Sequence, residues 1–227
     1  MVNVLNYQIA PGVVIFLALL ILPSIRSIGQ TQVGLVSKRF SFKKLSEGNP
    51  IAFRGEAGYQ AELLMPGFRF KFWVLYSVRK YPWVQIPAGE IGVVIAQIGQ
   101  PLPTGAKSAI YKDEFGNFAD VTRFVTAGGQ KGVQRPVLPP GSLVPIHPVA
   151  FLVIAKAKIF GMPVDPDILR RLNRESQGLS PTSFGLTPQQ LEVVRIEPRP
   201  HGGATEIGDV VGVVTTYDGP PLEAGDI

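Results

Sequence analysis

The chain contains 227 residues, of which 22 are Lys or Arg, 17 are Asp or Glu, and none is Cys. Apolar residues make up 45% of it, which excludes a disordered polyelectrolyte. With 25 Gly, 21 Pro and only 17% charged residues, a coiled coil or helical bundle is excluded over most of its length. The absence of Cys excludes a disulfide framework, a thiolate zinc site and a Cys nucleophile. These proportions predict a mainly β fold with some α (α+β), built from short strands and turns.

The first predicted element is an N-terminal membrane helix. Residues Ile9 to Ile25 include no charged side chain, and seventeen helical residues span about 25 Å, close to the thickness of a hydrocarbon core. We therefore predict a membrane anchor over residues 1–25. A cleavable signal peptide, a buried core helix and a shallow re-entrant hairpin are the alternatives. The side chains predicted to contact lipid are Ile9, Val13, Phe16, Leu20 and Ile25.

The net charge of +5 is concentrated directly after this segment. Residues 26–80 carry ten Lys or Arg against three acidic residues, which indicates contact with anionic lipid and places residues 26–227 in the cytoplasm of a single-pass protein. Aromatic residues are interleaved with this charge, so an ordinary sheet face and a single-strand nucleic-acid surface are the alternatives; the preceding apolar segment favours the membrane over nucleic acid. The predicted membrane-surface residues are Arg26, Lys38, Arg39, Lys43, Lys44, Lys71, Trp73 and Tyr76.

An internal repeat organises the rest of the chain. The pattern G-V-V-x4-G-x-P-L-x2-G begins at Gly92 and again at Gly212, and a weaker copy begins at Gly34. The first two units along the chain also share an L-x-P-G turn followed by an apolar run, which predicts a strand, a long excursion and a returning strand. The predicted domains are two β units over 26–164, a helical connector over 165–190 and an incomplete third unit over 191–227. The incomplete unit predicts that the chain is the N-terminal portion of a longer protein.

No arrangement of residues typical of catalysis or ligand binding accompanies the two histidines. His147 lies in an apolar run and His201 in a Pro- and Gly-rich loop, and neither belongs to a metal-binding or nucleophile–base motif. We therefore predict a protein that is not an enzyme and has no catalytic residues, metal or cofactor.

Several of these segments resemble the band-7 or SPFH superfamily, which includes stomatin, prohibitin, flotillin and HflK/HflC, and most closely its bacterial flotillin-like members. The likeness rests on the N-terminal apolar segment, on Gln32–Val36 with Leu64–Phe70, and on Ile86–Gly105 with Val137–Ile154. Together these blocks cover about residues 9–160.

The resemblance implies tandem small β units of SPFH-like type and a non-enzymatic scaffold. Such a scaffold forms homo-oligomers on a membrane and organises lipids and partner proteins into microdomains. For a bacterial member it implies the inner membrane and an NfeD-type membrane protein as a partner. The long coiled coil that usually ends family members is absent from this sequence. An envelope adaptor, whose β repeats bind another protein outside the cytoplasm, is the alternative function.

Overall fold

The computed structural model of the chain describes residues 2–46, 48–164, 166, 169–170, 179–200, 207–208 and 210–214. Within these residues the fold is mixed α/β and consists mostly of sheet. The helices are α1 (Val2–Ile21) and α2 (Val121–Thr126). The strands are β1 (Ile25–Ile28), β2 (Gln32–Lys38), β3 (Ile51–Ala52), β4 (Gly58–Leu64), β5 (Gly67–Phe70), β6 (Tyr76–Pro82), β7 (Val84–Gln85), β8 (Val93–Ala96), β9 (Gly132–Val133), β10 (Leu143–Val144), β11 (Phe151–Ile154), β12 (Ile159–Phe160), β13 (Arg199–Pro200) and β14 (Ile207–Gly208).

The first four-stranded sheet has the order β3-β4-β2-β6, with β3 parallel to β4 and the other pairs antiparallel. Its central strand β2 is buried on both faces, since Leu35 packs into the main core and Val36 into a smaller second core. Between these faces the backbone of Gly34 passes very close to its neighbours. A Cβ at that position would lie 3.0 Å from side-chain atoms of both Ile28 and Leu64, which explains a glycine in the middle of a strand.

The second four-stranded sheet has the order β12-β11-β8-β9 and is antiparallel throughout. Its strand β11 is buried at every residue and lies between β12 and β8. The repeat predicts that the strand opening at Gly92 pairs with the apolar run after the second L-x-P-G, and the pairing of β8 with β11 confirms this. The turn before that run has Gly141 at φ 76° and a bond from the Ser142 N–H to the Pro139 carbonyl, as a type II turn requires.

The first unit does not follow the same pattern. The run after Leu64-Met65-Pro66-Gly67 forms β5, which pairs with β1 and not with the opening strand β2. Alternation in this run predicts one buried face, and that prediction is wrong, because every residue of β5 is exposed. The β1–β5 ribbon is therefore exposed over most of its length and is attached to the first sheet through Ile28, which is buried in the second core.

One hydrophobic core joins the two sheets. It includes Leu35 and Ile51 of the first sheet and Val94 and Phe151 of the second. Edge-on contacts between aromatic rings fill its centre, where a 3-10 turn at Asp113–Phe118 leads into α2. The rings that meet there are those of Tyr111, Phe115, Phe118, Phe124 and Phe151.

The predicted N-terminal membrane helix is wrong. The α-helix ends at Ile21, because Leu22–Ser24 form a 3-10 turn and Ile25 begins β1. Three amide residues precede Ile9 in α1, so the apolar part of the helix is only about 20 Å long, against about 30 Å for a hydrocarbon core. In the part of the chain that the structure describes, no helix is sufficiently long and apolar to cross a membrane.

The regions after residue 164 are described only in part. In the predicted connector, Thr187 and Gln190 form a capping box around the 3-10 turn Pro188–Leu191. In the predicted third unit, β13 pairs with β14, and residues 210–214 are exposed and form no strand. Asp165, His201 and residues 215–227 lie outside the described residues.

A buried histidine connects the two sheets. The His147 side chain is completely buried; its Nε2 lies 3.0 Å from the Gln60 carbonyl oxygen in β4, and its Nδ1 accepts the N–H groups of Val149 and Ala150 just before β11. These partners require the neutral ring with its proton on Nε2. Burial lowers the pKa of His147 to about 4, against which the hydrogen bonds act only partly.

This pKa predicts a stability that depends on pH. The unfolded chain binds a proton at His147 near pH 6.5 and the folded chain only near pH 4, so unfolding takes up a proton between these values. The contribution of neutral His147 to the free energy of unfolding is therefore fully present above pH 6.5. It is lost as the pH falls toward 4, and the total loss is about 3 kcal/mol. Urea unfolding at several pH values should show this slope in the wild type and in H201N, and a much flatter one in H147N. Equal slopes in all three proteins would contradict the role of His147.

Candidate functional site: an apolar and basic ribbon

The β1–β5 ribbon has one apolar and one basic face. The register places Ile25 opposite Phe70 and Ser27 opposite Phe68, so the two phenylalanines and Ile25 share a face. Phe68 is 82% exposed, Phe70 61% and Ile25 46%. Aromatic side chains exposed together in this way on a narrow ribbon are typical of a surface that contacts another apolar phase.

The opposite face of the ribbon carries two like charges. Arg26 and Arg69 are direct cross-strand partners, and both are exposed. The Arg69 guanidinium donates hydrogen bonds to the carbonyl oxygens of Met65 and Pro66, which orient it without neutralising it. Neither arginine forms an ion pair with any residue that the structure describes. Because like charges opposite each other destabilise a strand pair, this arrangement favours a bound anion.

Ser24 joins α1 to this ribbon. Its hydroxyl donates to the Leu20 carbonyl oxygen at 2.8 Å and accepts the Trp73 N–H at 3.2 Å, and its own carbonyl oxygen accepts the Lys71 N–H at 2.9 Å. The side chain is completely buried. These three bonds hold the end of the helix, the start of β1 and the segment after β5 together at one end of the first sheet.

The predicted basic residues between 38 and 44 lie at the same end. The Arg39 N–H donates to the Leu75 carbonyl oxygen, which brings this loop beside the segment that Ser24 holds. Phe40 and Phe42 are exposed among the charges of Arg39, Lys43 and Lys44.

Two of the predicted lysines are held by backbone carbonyls of their own unit. The ammonium of Lys38 donates to the Gly55 carbonyl oxygen at 2.7 Å, and that of Lys43 to the Arg54 carbonyl oxygen at 3.1 Å. Arg39 and Lys44 are exposed, so the loop remains a basic surface.

Three other predicted surface residues are half-buried. Lys71 pairs with Glu62 at 3.3 Å and lies 5.7 Å from the ring centre of Tyr76, which packs against the second core. Trp73 carries an indole N–H with no hydrogen-bond partner in the described part of the chain. Lys71 and Trp73 bond through their backbone N–H groups to Ser24 at the start of the ribbon. Since all three side chains are half-buried, they expose little aromatic surface.

The predicted anchor residues are divided between two elements. Val13 and Phe16 are exposed on α1, Leu20 is half-buried, and Ile25 belongs to the ribbon; the side chain of Ile9 is outside what the structure describes. Phe68, Arg69 and Phe70 are functional-site candidates that the sequence did not predict. The period-two alternation of these residues was visible in the sequence, but it does not distinguish a face turned to the core from one turned outward.

Among the described residues, no group of three or more His, Asp or Glu side chains is placed to hold a metal ion. His147 has all its ring nitrogens engaged by backbone groups, which assigns it to the connection between the sheets.

Comparison with known proteins leaves the family open: no protein-family model, curated protein or solved structure matches the chain.

Replacement of Ser24 by Ala should loosen the junction between α1 and the ribbon. The change removes the hydroxyl that accepts the Trp73 N–H and leaves that donor without its partner, at a cost of about 1–3 kcal/mol. Hydrogen exchange should therefore show the Trp73 amide exchanging about 10-fold faster or more, with β8 and β11 unaffected. S46A, at an exposed loop serine, is the control, and an unchanged Trp73 amide in S24A would contradict this role.

Proposed function

We propose that this protein is a non-enzymatic scaffold that associates with a membrane surface, assembles into homo-oligomers there and organises lipids and partner proteins. The observation that carries the proposal is the β1–β5 ribbon, which exposes Ile25, Phe68 and Phe70 on one face and two arginines on the other. The sequence resemblance to the SPFH superfamily agrees with such a role, and extends the proposal to the bacterial inner membrane with an NfeD-type protein as partner.

The apolar face of the ribbon supplies the attraction to the acyl region of the lipid. Each of the two phenylalanines contributes about 1 kcal/mol or more when half of its side chain leaves water. Several side chains of α1 extend the same kind of surface, because they are exposed although apolar. These are Val13, Val14, Ile15, Phe16, Leu17, Leu19 and Ile21.

The basic groups around the ribbon select an anionic surface. Arg26 and Arg69 carry charges with no carboxylate partner among the described residues, and the exposed Arg39 and Lys44 lie at the same end of the sheet. A basic residue near an anionic bilayer contributes about 1 kcal/mol, and this contribution is screened by salt.

Free sheet edges support the assembly part of the proposal. β6 and β12 are the outer strands of their sheets, with no further strand beside them in the described residues. Strands with one unpaired edge are available for side-by-side association between copies of the chain.

Vesicle sedimentation of the full chain tests the lipid-binding role of the ribbon. We expect F68S/F70S to lower partitioning into vesicles of phosphatidylcholine with one-third phosphatidylglycerol by about 10-fold or more, because two aromatic rings no longer leave water. I110S/L143S removes two exposed apolar side chains from the second unit, and it should bind as the wild type does.

The charge dependence is tested with the same vesicles. R26Q/R69Q should lower binding to anionic vesicles by about 10-fold, should leave binding to pure phosphatidylcholine unchanged, and should have little effect at 0.5 M salt. Wild-type binding by F68S/F70S would overturn the role of the apolar face, and equal binding of R26Q/R69Q to anionic vesicles at low salt would overturn that of the charges.

A further inference from the structure

A groove lies between the two sheets, away from the β1–β5 ribbon. It consists of two adjoining cavities of about 200 Å³ and about 400 Å³ that share Pro82, Lys158 and Phe160. One wall comes from the end of β6 and from β7, and the other from β12 and the residues before it. The space is large enough for a small molecule or a headgroup and is concave, as binding sites are.

The walls of the larger cavity are mostly aromatic and apolar. Trp83 and Phe160 contribute the rings, and Pro82, Pro87 and Ala157 contribute further apolar surface. Aromatic faces of this kind attract positive charge through their quadrupole, most strongly where water is excluded.

Two buried polar groups of the groove have no hydrogen-bond partner in the described part of the chain. The indole N–H of Trp83 and the Oε2 atom of Glu90 are buried, and neither forms a hydrogen bond to any residue that the structure describes. A buried donor or acceptor left unpaired is costly, and such groups are rare. Both residues line the larger cavity, so Glu90 brings a carboxylate close to any ligand that the cavity holds.

The charges around the groove show which sign of ligand fits. Lys156 and Glu192 form an ion pair, and the hydrogen bond to Glu192 is the main reason that the pKa of Lys156 is raised. Glu90 acts on Lys156 through its charge, as a smaller cause of the same shift, but it forms no ion pair among the described residues. The other ammonium, that of Lys158, is in no ion pair among the described residues and lies 4.7 Å from the ring centre of Phe160.

We infer that this groove binds an alkylammonium group, primary or quaternary, of a small soluble molecule or of a lipid headgroup. The positive charge lies against the rings of Trp83 and Phe160 with Glu90 as its counter-ion, and Lys158 moves aside to admit it. The exposed Lys158 side chain now takes the place over Phe160 that the ligand takes when bound. This site is separate from the ribbon and does not rest on membrane binding, although β6 and β12 also provide the sheet edges proposed for assembly.

Tryptophan fluorescence measures this binding directly. The chain has two tryptophans, so a W73F background leaves Trp83 as the only reporter. We expect choline chloride to give a saturable change in Trp83 emission at constant ionic strength. The neutral isostere 3,3-dimethyl-1-butanol, which has the same shape without the charge, should give none.

Two charge variants act in opposite directions if the site is correct. E90Q should weaken choline binding about 10-fold because it removes the counter-ion. K158Q should tighten it about 3-fold because it removes the competing cation. K107Q, an exposed lysine elsewhere, is the control and should bind as the background protein does. Because Lys158 is exposed, K158Q remains informative even where E90Q affects folding.

Titration with phosphatidylcholine and phosphatidylglycerol vesicles separates the two sources of the ligand. A Trp83 response to free choline and to phosphatidylcholine vesicles indicates a lipid headgroup, and a response to free choline alone indicates a soluble amine. Binding of the isostere as tightly as choline, weaker binding by K158Q, or no response to choline would each overturn the inference. F68S/F70S should keep its choline response, so failure of the membrane proposal and failure of this one remain distinguishable.

Discussion

The arrangement of the two sheets depends on the bonds of one buried imidazole. His147 accepts two backbone N–H groups ahead of β11 and reaches the Gln60 carbonyl in β4, so the ring belongs to both sheets. Another type of side chain at position 147 would not make the same bonds, because the position requires a donor and an acceptor on opposite sides of one rigid ring. The groove between β6 and β12 exists only while the sheets keep this spacing. The common core, with Leu35 on one side and Phe151 on the other, depends on the same alignment.

Much of the second unit could be predicted from its sequence. A nearly continuous apolar run such as Phe151–Ile154 is typical of a strand at the centre of a sheet, buried on both faces. The Pro-Gly pair before it predicts a turn from the dihedral preferences of these two residues alone. Both patterns are local in sequence, and the structure contains both the central strand and the turn. The fold class was less accessible: apolar residues 9–25 have the composition of a membrane helix, but three different backbone conformations divide them.

In the candidate site, sequence patterns predict the strands and the basic region but not the contacts between distant residues. The alternation of Phe68 and Phe70 with charged neighbours correctly predicts a strand, but which face is covered depends on whether another layer packs there. The excess of basic residues indicates the basic region, but it carries no information on the carbonyl groups of the same unit that bind the ammonium groups of Lys38 and Lys43. Long-range contacts decide both questions, and no spacing in the sequence encodes them.

The cross-strand pair of Arg26 and Arg69 has a consequence for how ionic strength acts on this protein. Dissolved salt screens the repulsion between the two guanidinium groups and so tightens the ribbon, while the same screening weakens any attraction to an anionic surface. Stiffness and adhesion of the ribbon therefore respond to salt with opposite signs. An anion bound between the two arginines would remove their repulsion and hold the ribbon to the surface at the same time. The ribbon is therefore most rigid when an anion is bound.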